Sequence, residues 1–324
     1  MRNTTLYVRH NARTLLALAL LAGLLVAFLM IHPRGVSPTV LTAWSNQGVA
    51  LALVAIGQTI VVLTSGIDIS IGAIMALSNC VASELVQGDP IQVALGVAAV
   101  LLVGTACGTV NGLIIVYARI QPIVATLATG TIYTGIALLV RPTPGGEVSA
   151  GLSDTMTGTL GDLVPTSLIA LTVVVILVWE PLRRSLTGRT LFALGSAEQA
   201  AYMSGLSIDK AKVVAYAVAG LFAAMAGLFL GFQTASGDAS VGLPYTLNSV
   251  AAVVLGGTVL SGGVASVVGT IAGAFMLRTI GSLMFFTGVP PLAQPLFEGL
   301  VLICAVALGS VRLLRIRNRL EIFK

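Results

Sequence analysis

The chain has 324 residues, of which 56% are hydrophobic and 9% charged, with a formal net charge of +5 and a mean hydropathy of +1.01. An ordinary soluble domain carries about 25% charged residues, so this composition excludes one and points to a bilayer as the solvent. At roughly 20 residues per span, the recurring apolar runs occupy most of the chain and leave no room for a soluble catalytic domain.

In chain order, ten apolar stretches read as spans: 14–31, 47–64, 71–87, 94–118, 122–140, 166–180, 213–232, 247–260, 264–286 and 293–310. They are near-continuous and not alternating. Because backbone polar groups in lipid must bond within their own segment, the expected fold class is all-α, a polytopic membrane protein of about ten transmembrane helices in one domain, 1–324. The first run follows Arg2, Arg9 and Arg13 like a signal peptide, but it ends in His32-Pro33-Arg34 without a small-residue cleavage site and reads as an uncleaved span. Glycine inside the apolar runs reads as a device for close helix approach.

Charge sets the orientation. With a cytoplasmic N-terminus, ten crossings return the C-terminus to the same side. Arg2, Arg9, Arg13, Arg119, Arg183, Arg184, Arg189, Lys210, Lys212, Arg312, Arg315, Arg317, Arg319 and Lys324 then fall inside, against Arg34 and Arg141 outside. The basic excess is therefore a topology signal, and nucleic acid is not an expected partner. Cys80, Cys107 and Cys304 stand singly in apolar runs and read as packing thiols, and His10 and His32 form no ligand pattern, so no metal site is expected.

Three segments carry more than topology. Thr64-Ser65-Gly66-Ile67-Asp68-Ile69-Ser70-Ile71-Gly72 lies between two apolar runs and puts Asp68 at or inside the membrane, where an ionisable group usually faces a cavity or a partner. It reads either as part of a transport pathway or as a tight turn in which Asp68 caps the next helix. Thr258-Val259-Leu260-Ser261-Gly262-Gly263 echoes it weakly. The inner connection 183–212 is basic and contains Ser196-Ala197-Glu198-Gln199, which fits a capping box, with Gly205 as a helix stop about two turns on. That short helix either docks on another protein or lies on the membrane through Tyr202 and Met203.

The motifs as a set resemble a known family. Ala55-Ile56-Gly57-Gln58-Thr59 running into Ser65–Gly72 is similar to the permease subunits of ribose-, xylose- and galactose-type ABC importers, and the likeness continues through Val110-Asn111-Gly112-Leu113, Arg119–Leu127, Gly188-Arg189 with Gly195, Ala200-Ala201 and Ser204-Gly205, then Ala251–Thr258 with Ser261-Gly262-Gly263. The resemblance implies a subunit of an ATP-driven monosaccharide importer in the bacterial cytoplasmic (inner) membrane. It implies as partners a second permease subunit, identical or paralogous, a cytoplasmic ATPase and a periplasmic or extracellular sugar-binding protein. It further implies that Gly195, Ala200, Ala201, Ser204 and Gly205 belong to the element that couples to the ATPase. The chain has no phosphate loop, so ATP and magnesium are expected on that partner and no cofactor on this chain. The wider superfamily carries nucleosides and branched-chain amino acids. An ion-coupled secondary transporter would also show broken helices, whereas an intramembrane enzyme is disfavoured by the lack of clustered carboxylates, histidine ligands or a nucleophile-base pair.

Gln58, Asp68, Asn79, Asn111 and Asn248 are the candidate polar groups of the pathway, since amides and carboxylates exchange bonds with sugar hydroxyls; each equally suits an interhelical hydrogen bond. Two positions depart from the family pattern: Asn248, where many relatives are acidic, and Arg278, within an apolar run. Arg278 and Glu298 fall at similar depth on consecutive antiparallel spans, which predicts an ion pair; the competing reading turns Arg278 to the pathway to select acidic or phosphorylated sugars.

Overall fold

The computed structural model describes residues 2–293, 295–297, 299, 300 and 303. Within them, nine of the expected spans are helical: α1 (Arg2–Ile31), α2 (Pro38–Leu63), α3 (Ile71–Leu85), α4 (Pro90–Tyr117), α5 (Pro122–Val140), α7 (Thr166–Val174) continuing through a π turn into α8 (Glu180–Arg184), α11 (Ile208–Thr234), α12 (Gly242–Leu255) and α13 (Val267–Phe286). Between them lie α6 (Ala150–Thr157), α9 (Leu186–Ser196) and α10 (Glu198–Met203). The tenth expected span and Cys304 fall largely or wholly outside the described residues. A two-residue antiparallel pair, Thr159–Leu160 with Val164–Pro165, is the strand structure of the described residues. The chain is an all-α polytopic membrane protein.

Several helices begin earlier than their apolar runs, because polar caps extend them. Ser37 Oγ accepts from Val40 N–H (3.4 Å) ahead of Pro38. At α4, Asp89 Oδ1 accepts from the Ile91 and Gln92 N–H groups at 2.9 Å each, and Gln92 Oε1 accepts in return from Asp89 N–H. Both start with proline, whose missing N–H is no loss in a first turn. Apolarity alone overlooks such polar first turns.

Among the described residues, seven helices are long and apolar enough to cross a membrane. The centre of the molecule is α2, whose most apolar stretch is 94% buried and which is packed by α3, α11, α12 and α13. The crossing of α4 and α11 is set by glycine: a Cβ on Gly108 would overlap the Tyr216 carbonyl, and one on Gly220 the Gly104 carbonyl. The backbones therefore approach as only small residues permit.

Contacts sort the connections into two ends. At one, Ser65 Oγ donates to the Ser261 carbonyl (2.7 Å), Gly263 N–H to the Leu63 carbonyl (3.3 Å), and Gly195 abuts Leu63 and Gly263. At the other, Arg141 pairs with Glu84, Ser149 N–H donates to Val86, the Gly145 and Gly237 main chains pair, and Asn46 Nδ2 donates to Thr157. This is the grouping that alternating crossings require.

Two helices are short. α3 has 15 residues and α12 has 14, about 21–23 Å each at 1.5 Å per residue, less than the roughly 30 Å hydrocarbon core. Each completes a crossing with a lead-in that departs from α-helix, and the sequences match across the junction: Ser65-Gly66-Ile67-Asp68-Ile69-Ser70 running into Ile71-Gly72 of α3, and Ser236-Gly237-Asp238 followed by a 3-10 turn, Ala239–Val241, running into Gly242 of α12. In both, the aspartate Oδ1 accepts from the N–H and hydroxyl of the serine two residues on, at 2.8 and 2.6 Å for Asp68 and 2.8 and 2.7 Å for Asp238. One lead-in enters from the Leu63 end and the other from the Gly237 end, and they meet where a Cβ on Gly72 would strike Gly242 and the reverse. α2–α3 and α11–α12 are thus two helix pairs, each interrupted by an Asp-x-Ser element and entered from opposite ends. The structural counterpart of the Asp68 segment is therefore 236–242 and not Thr258–Gly263, whose Gly262 and Gly263 (φ +87° and +73°) form a turn at the Leu63 end. Serine and glycine are common to broken helices and to turns; the Asp-x-Ser spacing is what separates them.

Candidate functional site

The Asp68 segment is held by side chains from four helices. Asp68, Ser70, Asn111, Gln58 and Thr126 are all fully buried. From Asp68 the bonds run outward: the Ser70 hydroxyl donates to Asp68 Oδ1, Asn111 Nδ2 on α4 donates to Ser70 Oγ (2.7 Å), and the Tyr133 hydroxyl on α5 donates to Asn111 Oδ1 (3.1 Å). Ile69 N–H donates to Thr126 Oγ1 on α5 (3.0 Å), and Gly72 N–H to Thr246 Oγ1 on α12 (3.1 Å). Gln58 on α2, with its amide oriented to suit its surroundings, donates to the Asp68 carbonyl and accepts from the Asp68 N–H. The backbone groups that the helix break frees are thus paired by side chains, as membrane depth demands. Asp68 Oδ2 and the Tyr216 hydroxyl are buried and have no hydrogen-bond partner among the described residues.

Asp68 acts at the start of α3 through the N–H and hydroxyl of Ser70, the residue ahead of the helix. Asn79 holds the matching segment: its Nδ2 donates to the Gly227 and Ser236 carbonyls, both at 3.2 Å, and its Oδ1 accepts from Asp238 N–H at 2.8 Å. Asn248 is buried on α12, two residues beyond Thr246. Sequence reasoning finds Gln58, Asp68, Asn79 and Asn111. It misses Thr126, Tyr133, Thr246 and Asp238, of which only Asp238 has a readable signal, its spacing to Ser240 and Gly242.

In the 183–212 connection the short helix is present as α10, with Gly205 at φ +75° after it. The capping box is not. Ser196 ends α9 and its hydroxyl donates back to the Phe192 carbonyl (2.9 Å), so it is unavailable to α10, whose preceding residue is Ala197. Glu198 instead pairs with Lys212 at 2.6 Å. Ala201 packs inward on Leu194 and Ile208, while Ala200, Tyr202, Met203, Ser204 and Gly205 are exposed, Tyr202 to 72% and Met203 to 77%. Gly195 packs against the Leu63 and Gly262–Gly263 main chains.

Arg278 lies within α13, its Cζ 4.8 Å from the Tyr245 ring centroid. Glu298, its expected partner, lies outside the described residues. No group of three or more metal-binding side chains occurs among the described residues.

A polytopic helical membrane protein built on two oppositely directed broken-helix units has the architecture of a transport permease. Residues 40–306 match the family model of the branched-chain amino acid transport system / permease component, and the chain belongs to that permease family. It is 35% identical to the ribose import permease protein of Escherichia coli K12 over 80% of this chain and 82% of that one. With the ribose import permease protein of Bacillus subtilis 168 it shares 35% identity over 88% and 89%, and with the autoinducer 2 import system permease protein of Escherichia coli O9:H4 29% over 95% and 94%. No solved structure matches the chain. The resemblance read from the motifs holds.

Proposed function

We propose that the chain is the transmembrane subunit of an ATP-driven monosaccharide importer. The observation that carries this reading is the 35% identity to ribose import permeases over most of both chains. In this reading the pathway forms with a second permease subunit, identical or paralogous, in the bacterial inner membrane. A secreted binding protein delivers sugar to the Gly237 end. A cytoplasmic ATPase, which binds ATP and magnesium, engages the 183–212 connection at the other end. Both termini are then cytoplasmic, as the basic residues favour.

Within the pathway reading, the amides of Gln58, Asn79 and Asn111 shape the wall and do not meet sugar, because their bonds are already made within the chain. Asp68, whose Oδ2 has no hydrogen-bond partner among the described residues, remains the candidate polar group for contact with substrate. The Asp68 and Asp238 lead-ins give each unit a hinge where backbone is held by side chains, a suitable place for alternating access to bend. Co-purification of the tagged chain from its native membrane tests the assembly. An ATPase and a binding protein that takes up a labelled monosaccharide are expected; a chain that transports alone, driven by an ion gradient, overturns the reading.

A further inference from the structure

Arg278 is the one charged side chain away from a helix end among the described membrane spans. It sits about eight residues before the end of α13, so about 12 Å below it at 1.5 Å per residue. Gln47, about nine residues into α2, reaches a similar depth, about 13 Å. The two side chains line one cleft of about 350 Å³ with Ser282, Leu277, Phe285 and Phe286, a volume at the lower end of ordinary small-ligand sites, which start near 300 Å³. Gln47 is exposed, although most of α2 is buried. Beside them, Trp44 Nε1 donates to Thr279 Oγ1 (2.8 Å) and locks α2 to α13 at this level.

An exposed amide and a guanidinium on a lipid-facing surface would each be costly, and membrane-depth cations mark solute pathways or paired sites. Tyr245 covers one face of the guanidinium, and Nε is buried without a hydrogen-bond partner among the described residues. Arg278 also lines the cleft. A planar fork of donors suits a carboxylate or phosphate, held bidentately, while an amide and a hydroxyl suit polyol oxygens and an aromatic edge suits a sugar's apolar face. A headgroup phosphate of a bilayer lipid would not descend to this depth.

We propose that this cleft is a subsite of the translocation pathway and that Arg278 selects monosaccharides bearing a carboxylate or phosphate over neutral ones. The inference rests on the importer reading above and narrows its substrate class. The test uses the complete importer, with its own ATPase and binding protein, in cells lacking other sugar uptake, and compares uptake of labelled ribose, galactose, glucuronate and ribose 5-phosphate. Uptake of an anionic sugar in preference to the neutral ones, reduced about tenfold or more by Arg278→Gln and less by Arg278→Lys, is the expected result. Gln47→Ala should lower uptake of the same sugar and leave subunit association intact. A wild-type preference for neutral sugar, or anionic-sugar uptake that is unchanged in Arg278→Gln, overturns the selectivity and leaves the importer standing. Loss of folded Arg278→Gln protein that Glu298→Leu restores also overturns it, because Arg278 is then half of a structural pair. Transport of no sugar of either class by an assembled complex overturns the importer reading itself.

Discussion

The side-chain amide of Gln58 stands opposite the main chain of Asp68 as a neighbouring strand would, its nitrogen 3.1 Å from the Asp68 carbonyl and its oxygen 3.2 Å from the Asp68 N–H. Ten residues of sequence separate them, and the chain between must leave α2, turn at Ser65 (φ +61°) and re-enter the bundle. Asn79 gives the second lead-in the same service, bonding Asp238 N–H and the Ser236 carbonyl. One buried amide at each break therefore pairs main-chain groups that the interrupted helical ladder leaves free, beside the Thr126 and Thr246 hydroxyls at the first.

Replacing Gln58 by leucine keeps the bulk and leaves both Asp68 main-chain groups unpaired in an apolar interior. At about 1–3 kcal/mol for each buried group left unsatisfied, Gln58→Leu should cost about 2–6 kcal/mol. Asn79→Leu should behave similarly. Thermal unfolding of the detergent-solubilised chain measures both, and a Gln58→Leu protein as stable as wild type would reject the pairing.

Much of this is legible in the sequence, and the reasons for the remainder are specific. Nine spans are readable because twenty-residue apolar runs have one solution in lipid. The early starts at Pro38 and Pro90 are not, since hydropathy averages away a polar first turn. The Asp68 element is visible because a carboxylate stands where membrane is expected, but its twin at Asp238 lacks the Ile67 insertion and escapes notice. α9 is hard to read because its Gly188 and Gly195 resemble loop glycines; in the fold they press against the Leu182 and Leu63 carbonyls. Partners such as Tyr133 and Thr246 come from helices far away in sequence, and nothing local marks them.

The glycines divide into those that pack and those that do not. Gly108→Ala puts a methyl group into the Tyr216 carbonyl and forces α4 and α11 apart, so it should destabilise by about 1–3 kcal/mol. A methyl group on Gly135 in α5 would meet nothing within 4 Å, and Gly135→Ala should be neutral or stabilising by up to about 1 kcal/mol through helix propensity. Equal effects of the two substitutions on unfolding would show that the crossing does not depend on close approach.

Orientation is testable at two exposed positions on opposite ends. In a chain freed of Cys80, Cys107 and Cys304, a cysteine replacing Asp154 should react with an impermeant maleimide added to intact cells whose outer membrane is permeabilised. One replacing Ser207 should react only after the inner membrane is opened. The reverse pattern would invert the topology that the basic residues favour.

The same loop offers a direct test of coupling. Ala201 is packed against Leu194 and Ile208, so Ala201→Glu buries a charge and should unseat α10 from the loop whether or not an ATPase docks there. Tyr202 and Met203 project from the opposite side, 72% and 77% exposed, and exposed substitutions usually change stability by less than about 0.5 kcal/mol. Large apolar side chains left outside at a polar membrane boundary are costly to hydrate and gain most from a partner's groove, where such anchors carry most of the affinity. Tyr202→Asp with Met203→Asp should therefore leave the yield and unfolding of the chain unchanged while ATPase co-purification and sugar-stimulated ATP hydrolysis fall at least about tenfold, the equivalent of about 1.4 kcal/mol. Glu198→Ala, which only releases Lys212 at the rim, should have a much smaller effect. If the double substitution leaves both ATPase association and hydrolysis at wild-type levels, α10 is a surface helix and coupling runs through another part of the chain.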